Sequence, residues 1–299
     1  MTKHLLARIY VFIFRLRNKI FRGFMRLFKL RPSSYPYITG DGFRKIADHV
    51  YDETGKCLAQ DVKEGQIVFV KSNLIKDWFE DMHPHVENKY KLITHNSDYN
   101  IRESDLKHID DKIIAWFAQN DLASHPRIIP IPFGLDNFYY YTNGIISLFD
   151  KYSKKILDRK NRIIFGFTIG TNPGERQPAY DFLIDSEVAD KLPWIDNAKI
   201  YLDEIIKYKF IAAPDGNGHD DPRRWQAMYI NMVPILRRSP AMDYFKSLGL
   251  PMFVIDNWNE LKGKSEDDLA SLYEDILSHS SREALYFDYW EKVIKNTGK

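Results

Sequence analysis

The segment between Tyr208 and Glu260 carries the densest group of residues suited to binding an anionic ligand. A strand-like run leads into a Gly-Asn-Gly loop at residues 216–218, and Pro222 then suits the first position of a helix. Arg223 falls in the first turn of that helix, where the helix dipole disfavours a cation. A bound diphosphate would remove this conflict, because helix N–H groups and an arginine fork both match it.

More hydrogen-bond donors follow the next strand-like run, residues 233–236. Arg237 and Ser239 stand just after it. Ligands of α/β folds bind at the carboxyl ends of strands, so these two residues extend the predicted anion site. A glycine turn with solvated arginines is the alternative interpretation of the same pattern.

Several motifs in and around this segment resemble the donor-binding half of exostosin-like glycosyltransferases. The resemblance covers residues 64–275 and is strongest over 208–260. The motifs are Pro214-x-Gly216-x-Gly218-x-Asp220-x-x-Arg223-x-Trp225-x-Ala227, Val233-Pro234-Ile235, Ile255-Asp256-x-Trp258, Thr94-His95-Asn96-Ser97-Asp98 and Thr171-Asn172-Pro173-x-Glu175-Arg176.

The resemblance implies an α/β, GT-B-like fold, in which two Rossmann-like domains face a central cleft. It also implies a nucleotide-sugar donor, usually UDP-linked, and transfer with inversion of the anomeric centre. Gln226 stands where the family usually has glutamate, and an amide accepts a donor hydroxyl without charge assistance. The predicted donor-binding residues are Gly216, Asn217, Gly218, Asp220, Arg223, Gln226, Arg237, Ser239, Thr171 and Asn172.

An inverting transfer needs a base that takes the proton of the acceptor hydroxyl. Asp98 is the first candidate, because it follows the strand-like run 90–94 and has His95 nearby. His95 itself and Asp41 are the other candidates, although capping a helix is the commoner role for an aspartate placed like Asp41. A purely structural turn is the alternative interpretation of residues 95–98.

The sequence predicts no metal and no bound cofactor. No two aspartates are spaced as Asp-x-Asp, and His83-x-His85, the one close histidine pair, is better explained as solvated surface. The leaving-group charge would then fall to Arg223, Arg237 and the helix N-terminus. Two nucleotide-binding motifs also fail, because residue 258 is not the first glycine of a P-loop and residue 221 is not the third glycine of a dinucleotide fingerprint.

Strand-like runs that alternate with helical or loop segments indicate mainly parallel sheets. The predicted domains are a basic helix at 1–31, an acceptor domain at 32–160 and a donor domain at 161–299. The predicted strands are 66–71, 90–94, 113–117, 127–131, 162–168, 209–213, 233–236 and 252–255. The predicted helices are 42–53, 73–82, 145–162, 175–184, 223–230, 265–278 and 282–296.

The formal net charge of +2 over 299 residues hides a split. Residues 1–31 hold nine Lys and Arg and no acid, whereas the remainder has 34 bases against 41 acids, a net charge of −7. An acidic body argues against a nucleic-acid binder. Cys57 is the single cysteine, which excludes a disulfide framework and a multi-cysteine metal site.

On a helix, residues 5–28 would have one basic and one apolar face. Their longest apolar run, 9–14, is too short to span a bilayer, and no signal-peptide pattern follows. The pattern is typical of a helix lying on an anionic membrane, and the alternative is a helix packed on the protein's own body. The basic face holds Arg8, Arg15, Lys19, Arg22, Arg26 and Lys29; the apolar face holds Leu5, Ile9, Ile13, Leu16, Ile20, Phe24 and Leu27.

Taken with these patterns, the resemblance implies a peripheral membrane glycosyltransferase, inverting and metal-independent, on a cytoplasmic membrane face (the inner membrane in a bacterium). Its acceptor would be a hydroxyl of a surface glycan or a lipid-linked saccharide. The alternative is a non-catalytic nucleotide- or glycan-binding module, or a scaffold of a polysaccharide assembly complex, in which Gln226 marks lost activity.

Overall fold

The computed structural model describes residues 13, 16–25, 27, 28 and 30–298. Within them the chain forms two separate sheets, one of six strands and one of five. The first sheet has the order β2-β1-β3-β4-β5-β6; β2 is antiparallel to its neighbour, and the other pairs are parallel. Its strands are β1 (His49–Asp52), β2 (Gly55–Lys56), β3 (Ile67–Lys71), β4 (Tyr90–His95), β5 (Ile113–Ala118) and β6 (Ile128–Pro130).

The central strands of the first sheet are apolar on both faces, as expected for parallel strands covered on both sides. Alternate residues of β3, β4 and β5 therefore belong to two different clusters. Phe69 and Phe117 point into the main core, and Val68 and Trp116 into a second cluster on the opposite face. The helices of this half are α1 (Gly40–Ile46), α2 (Ile75–Asp77, continued by the π-helical turn Trp78–Met82) and α3 (Ile146–Tyr152).

The second sheet is entirely parallel and has the order β11-β10-β9-β7-β8. Its strand order reverses between β7 and β9, so a ligand crevice is expected outside the carboxyl ends of these two strands. The strands are β7 (Lys160–Phe165), β8 (Ala189–Lys191), β9 (Tyr208–Ala212), β10 (Val233–Arg237) and β11 (Phe253–Ile255). The helices are α4 (Pro173–Ile184), α5 (Ala198–Ile205), α6 (Pro222–Tyr229), α7 (Pro240–Ser247), α8 (Glu266–Ser278) and α9 (Phe287–Asn296).

The carboxyl ends of the two sheets face each other. The loop after β9 donates the His219 N–H to Asn100 Oδ1 and the Asp220 N–H to Asn120 Oδ1, each at 2.8 Å. Asn100 and Asn120 follow β4 and β5, so these bonds join strand ends of one sheet to a strand end of the other. The predicted α/β architecture of two Rossmann-like halves with facing strand ends is confirmed.

One apolar core runs through both halves. It contains Phe69 of the first sheet, Trp225 of α6 and Trp290 of α9. Helix α9 returns to the first half, where Lys91 Nζ donates to the carbonyl oxygens of Ile294 and Lys295 at 3.0 and 3.1 Å. The last helix of the predicted donor domain thus packs against the predicted acceptor domain. The division of the two domains at residue 160 stays a prediction.

Three predicted helices are shorter than expected; the one predicted over 282–296 begins only at Phe287, after a separate 3-10 turn. The helix predicted over 42–53 ends at Ile46, because the next residues pair with β3 as strand β1. The helix predicted over 145–162 ends at Tyr152, and β7 already begins at Lys160.

Residues 16–25 are helical and pack on the first half through a narrow face. The Phe21 ring lies 4.4 Å from that of Tyr141 and 5.9 Å from that of Phe138, centroid to centroid. Asn18 and Met25 are buried on the same side. Leu5, Arg8, Ile9, Arg15, Arg26 and Lys29 of the predicted faces lie outside the described residues.

The part of the predicted apolar face that the structure describes is exposed. Leu27 is 75% exposed, Ile20 64% and Phe24 51%, and Ile13 and Leu16 are exposed beside them. No helix among the described residues is both long enough and apolar enough to cross a bilayer.

Gly134 fixes the start of the turn that follows β6. Its φ is +72°, and a Cβ there would lie 2.2 Å from the Ile38 carbonyl oxygen. Leu135 also donates its N–H to that oxygen, at 2.8 Å. Only glycine allows so close an approach with a left-handed backbone.

Gly134→Ala should lower the free energy of unfolding by about 3 kcal/mol or more. A left-handed alanine alone costs about 1–2 kcal/mol, and relieving the overlap with Ile38 adds to that. Gly65→Ala is the matched control, because Gly65 has φ +75° but a Cβ there would meet none of the described residues within 4 Å. Denaturant unfolding of both variants checks this; equal losses would contradict the role given to the Ile38 contact.

Candidate functional site

A pocket of about 350 Å³ lies outside the carboxyl ends of β7 and β8. The loop after β7 supplies Gly166 to Thr168, and the loop after β8 supplies Leu192 to Ile195. The N-terminus of α6 closes it with Asp221, Pro222 and Arg223, followed by Gln226. The pocket thus lies on the β8 side of the crevice expected between β7 and β9, and α6, which follows β9, forms its other wall.

A larger pocket of about 720 Å³ is a weaker candidate. Glu187 and Val188, which line it, precede β8, so it opens at the amino edge of that strand. Ligands of parallel sheets bind at the opposite edge.

Arg223 gives the smaller pocket a cationic side chain that already interacts with Tyr201 and Asp221 but keeps one unsatisfied donor. Asp221 caps α6 by accepting the Arg223 N–H at 2.8 Å, so the arginine stands in the first helical turn as predicted. The side chain lines the pocket, and its Nη1 is buried with no hydrogen-bond partner among the described residues. A buried donor without a partner costs about 1–3 kcal/mol or more, a cost that an anionic ligand would remove.

Aromatic side chains form much of the remaining wall. Phe167, Tyr180 and Tyr201 line the pocket, and Trp194 stands at its rim with 85% of its surface exposed. Lys191 also lines the pocket and adds a second cation. Its Nζ donates to the Tyr180 hydroxyl at 2.8 Å. Flat apolar faces beside a few polar groups suit a ring-containing ligand with a charged part.

The buried Arg224 holds the glycine loop that precedes α6. Its guanidinium pairs with Asp215 and donates to the carbonyl oxygens of Ala213 at 3.1 Å and His219 at 2.8 Å. Burial opposes ionisation of Asp215, but Arg224 and His219 outweigh it and lower the pKa of that carboxyl to about 2. The loop is thus fixed by charge-assisted hydrogen bonds, although two of its residues are glycine.

Asp215, His219 and Ser239 form a hydrogen-bonded chain. His219 Nδ1 lies 2.6 Å from Asp215 Oδ2, and Nε2 lies 2.6 Å from Ser239 Oγ. Ser239 Oγ also accepts the Met242 N–H as the cap of α7. The chain therefore ties the glycine loop to α7; a nucleophilic role is not supported, because Ser239 lines neither the 350 Å³ pocket nor the pocket of the first half described below.

The predicted donor-binding residues have different places in the structure. Arg223 and Gln226 line the pocket. Others stabilise the loops around the pocket. Asn172 Nδ2 donates to the Gly216 carbonyl at 3.1 Å, and the Thr171 hydroxyl donates to the Thr168 carbonyl within the same loop.

Gly218 and Asp220 join the two halves rather than line the pocket. A Cβ on Gly218 would lie 2.8 Å from Asn120 Nδ2, so a larger residue there would displace the Asn120 side chain, which accepts the Asp220 N–H. The buried Asp220 carboxylate accepts the N–H of Phe133 at 2.8 Å and that of the Trp225 ring. Asn217 is exposed. Arg237 ends β10, and its Nε is buried without a partner among the described residues. Neither residue lines the pocket.

A second pocket, of about 140 Å³, lies at the strand ends of the first sheet. Asp98 is exposed and lines it, together with His95. His95 is fully buried, donates Nε2–H to the Pro132 carbonyl at 3.0 Å and accepts the Asn96 N–H at Nδ1. Burial lowers its pKa to about 4, so a neutral ring with both nitrogens engaged supports the turn.

Asp41 is buried beside this pocket. Its Oδ1 accepts Arg31 Nη1 at 2.5 Å, and its backbone N–H donates to Asn137 Oδ1 at 2.8 Å. Its Oδ2 is buried without a partner in the described part of the chain. Burial raises the pKa of Asp41 despite the Arg31 cation. Asp41 is thus mainly a structural partner of Arg31 and of the turn after β6.

Asp136 is a carboxylate that the sequence reasoning missed. It lines the second pocket, while Asn143, which donates a hydrogen bond to it, lines the first. Burial, with smaller contributions from Asp221 and Asp98, raises its pKa to about 6. Its place a few residues after the predicted strand 127–131, at the same edge as Asp98, is the signal that could have found it.

Among the described residues, no three His, Cys, Asp or Glu side chains converge in a way that could hold a metal ion.

No protein-family model and no curated protein sequence matches this chain. Among solved structures, the fold is similar to that of the spinosyn rhamnosyltransferase SpnG complexed with thymidine diphosphate. The TM-score is 0.32 and the identity 8%, over 73% of this chain and 66% of that chain, slightly under two thirds of its length. A likeness this low carries no argument about function.

Proposed function

We propose that this protein is a glycosyltransferase that binds a nucleotide-sugar in the 350 Å³ pocket and transfers the sugar to a hydroxyl. The observation that carries the proposal is the buried Nη1 of Arg223 at the N-terminus of α6, which has no partner among the described residues. A diphosphate there would accept hydrogen bonds from Arg223 and from the first-turn N–H groups. The aromatic wall and Trp194 would contact the ring parts of the donor.

The proposed transfer is inverting and needs no metal ion. As the bond from the sugar to the diphosphate breaks, negative charge develops on the leaving oxygen, where Arg223 stabilises it. The acceptor attacks from the side of the second pocket, which belongs to the facing half and carries carboxylates. A UDP-linked donor is the proposed default, and Gln226 would hydrogen-bond it without a charge.

Arg223→Ala should weaken UDP binding about 10- to 100-fold, because a hydrogen bond to a charged group contributes about 1.5–3 kcal/mol. Titration calorimetry measures the affinity. Arg238→Ala is the matched control, since this arginine of the same half is half exposed and pairs with the surface residues Asp243 and Asp256. Equal affinity of the Arg223 variant and the wild type would contradict the proposed diphosphate site.

A non-catalytic nucleotide- or glycan-binding module is the alternative function, favoured by the uncharged Gln226. A panel of UDP-, GDP- and CMP-sugars separates the two. Thermal stabilisation followed by nucleotide release supports the transferase, and stabilisation without release supports the module. At a hundredfold excess over the dissociation constant, ligand binding adds about 2.7 kcal/mol to the unfolding free energy.

We further propose that residues 1–31 attach the enzyme to an anionic membrane, so that it acts on a surface glycan or lipid-linked saccharide. The support is the uncovered row of Ile13, Leu16, Ile20, Phe24 and Leu27 beside Lys19 and Arg22. Apolar side chains opposite the packed face would enter the headgroup region, while the flanking cations meet lipid phosphates.

The double substitution Ile20→Asp and Phe24→Asp should lower binding to phosphatidylglycerol vesicles at least about tenfold, because two large side chains lose their burial in lipid. Co-sedimentation measures the bound fraction. Leu58→Asp is the control, since Leu58 is 54% exposed on the body and outside the helix. Undiminished sedimentation of the double variant would show that the helix face is not the attachment surface.

A further inference from the structure

We infer that Asp136 is the general base that takes the proton of the acceptor hydroxyl, an assignment that rests on the proposed transferase function. Asp136 lies where the two pockets adjoin. It lines the pocket of the first half, and its hydrogen-bond partner Asn143 lines the pocket that holds Arg223. A carboxylate in this position touches the region where an acceptor hydroxyl would meet the sugar carbon of a bound donor.

The backbone around Asp136 is held from both sides. Gly134 packs on the Ile38 carbonyl, and a Cβ on Gly144 would lie 1.9 Å from the carbonyl oxygen of Asp136 itself. Asn137 donates Nδ2–H to Asn96 Oδ1 at 2.9 Å. Such close contacts fix where the carboxylate is presented, as a positioned base requires.

The charges around Asp136 suit a base at neutral pH. The charged groups that act on it are Asp98, from the loop after β4, and Asp221, the cap of α6. His95 and Tyr140 line the same pocket, and the pKa of His95, lowered to about 4 by burial, leaves its ring neutral. Burial and these two carboxylates raise the pKa of Asp136 to about 6, and Asn143 opposes the shift. The group is therefore mostly ionised at pH 7 yet more basic than an ordinary aspartate.

The other candidates are less well placed for this role. Both ring nitrogens of His95 are engaged, and Oδ1 of Asp41 is engaged by Arg31. Asp98 remains a rival on the wall of the same pocket, but it is exposed, so water can solvate its carboxylate.

The acceptor oxygen forms a bond to the sugar C1 while its proton passes to a carboxylate oxygen of Asp136. The bond between C1 and the diphosphate oxygen breaks at the same time, and its electron pair leaves on the diphosphate beside Arg223. Product release and loss of the proton to water restore the ionised carboxylate.

Asp136→Asn should lower UDP release from UDP-sugars about 100-fold or more, with water or an octyl glycoside as acceptor, and change UDP affinity less than about twofold. The wild-type rate should fall about tenfold per pH unit below about 6, the pKa of this carboxyl. This acid limb should be absent from the residual activity of the variant. Asp111→Asn, a fully exposed carboxylate elsewhere, is the control for an Asp-to-Asn change.

Asn143→Ala supplies a second test, the pH at which the rate of UDP release falls. A purely structural role of Asp136 would not shift this pH. Without the hydrogen bond from Asn143, the pKa of Asp136 rises further, so the acid limb should move to higher pH. If Asp136→Asn stays within about threefold of the wild type, or if Asp98→Asn alone removes the acid limb, Asp136 is not the base. If the wild type binds UDP but releases none from any UDP-sugar, the transferase proposal itself fails.

Discussion

The buried ion pair between Arg224 and Asp215 is the interaction on which the rest of the site depends. It lies beneath the loop that joins β9 to α6, and the same guanidinium also binds the carbonyl oxygens of Ala213 and His219. Because this loop is fixed, Asp220 near its end is held in position to hydrogen-bond Asn120 and Phe133 of the first half. Losing one partner of a buried pair would leave a charge without compensation, at a cost of about 3–5 kcal/mol.

The proposed chemistry brings a diphosphate close to carboxylates, and the distribution of charge makes this possible. Arg223 and Lys191 belong to the donor pocket, whereas Asp98 and Asp136 belong to the pocket of the facing half. Asp221, the cap of α6, is a carboxylate of the donor pocket itself, and it is paired with Arg176 at 3.0 Å. A donor's negative charge would raise the pKa of Asp136 further, so Arg223 has a second task in compensating that charge next to the base.

The sequence predicted the strands and the start of α6 better than it predicted the environment of the carboxylates. The strand runs of the two sheets and the Pro-Arg start of α6 are local patterns, and the structure has them where expected. Strand β8 was missed because only three residues form it, and β1 because its residues continue an acceptable helical pattern after Ile46. Such short elements are decided by pairing with neighbours that are distant in sequence.

The roles of His95 and Asp136 could not be predicted from the sequence for a related reason. Both follow strands of the first sheet, and residue type alone favours the histidine as a base. Burial then reverses the order, because it lowers the pKa of the histidine to about 4 and raises that of the aspartate to about 6. Neither shift is local, since each depends on groups that the folded chain brings together.

The contact between Phe21 and the turn at Phe138 and Tyr141 has a consequence for kinetics. That turn belongs to the segment that carries Asp136 and Asn143, so the N-terminal helix packs against the stretch of backbone that bears the proposed base. If the proposed membrane attachment and transferase function hold, the protein and a lipid-linked acceptor would meet in two dimensions. The rate would then follow the acceptor's density per unit area of membrane, and diluting the acceptor with inert lipid would slow turnover at constant bulk concentration.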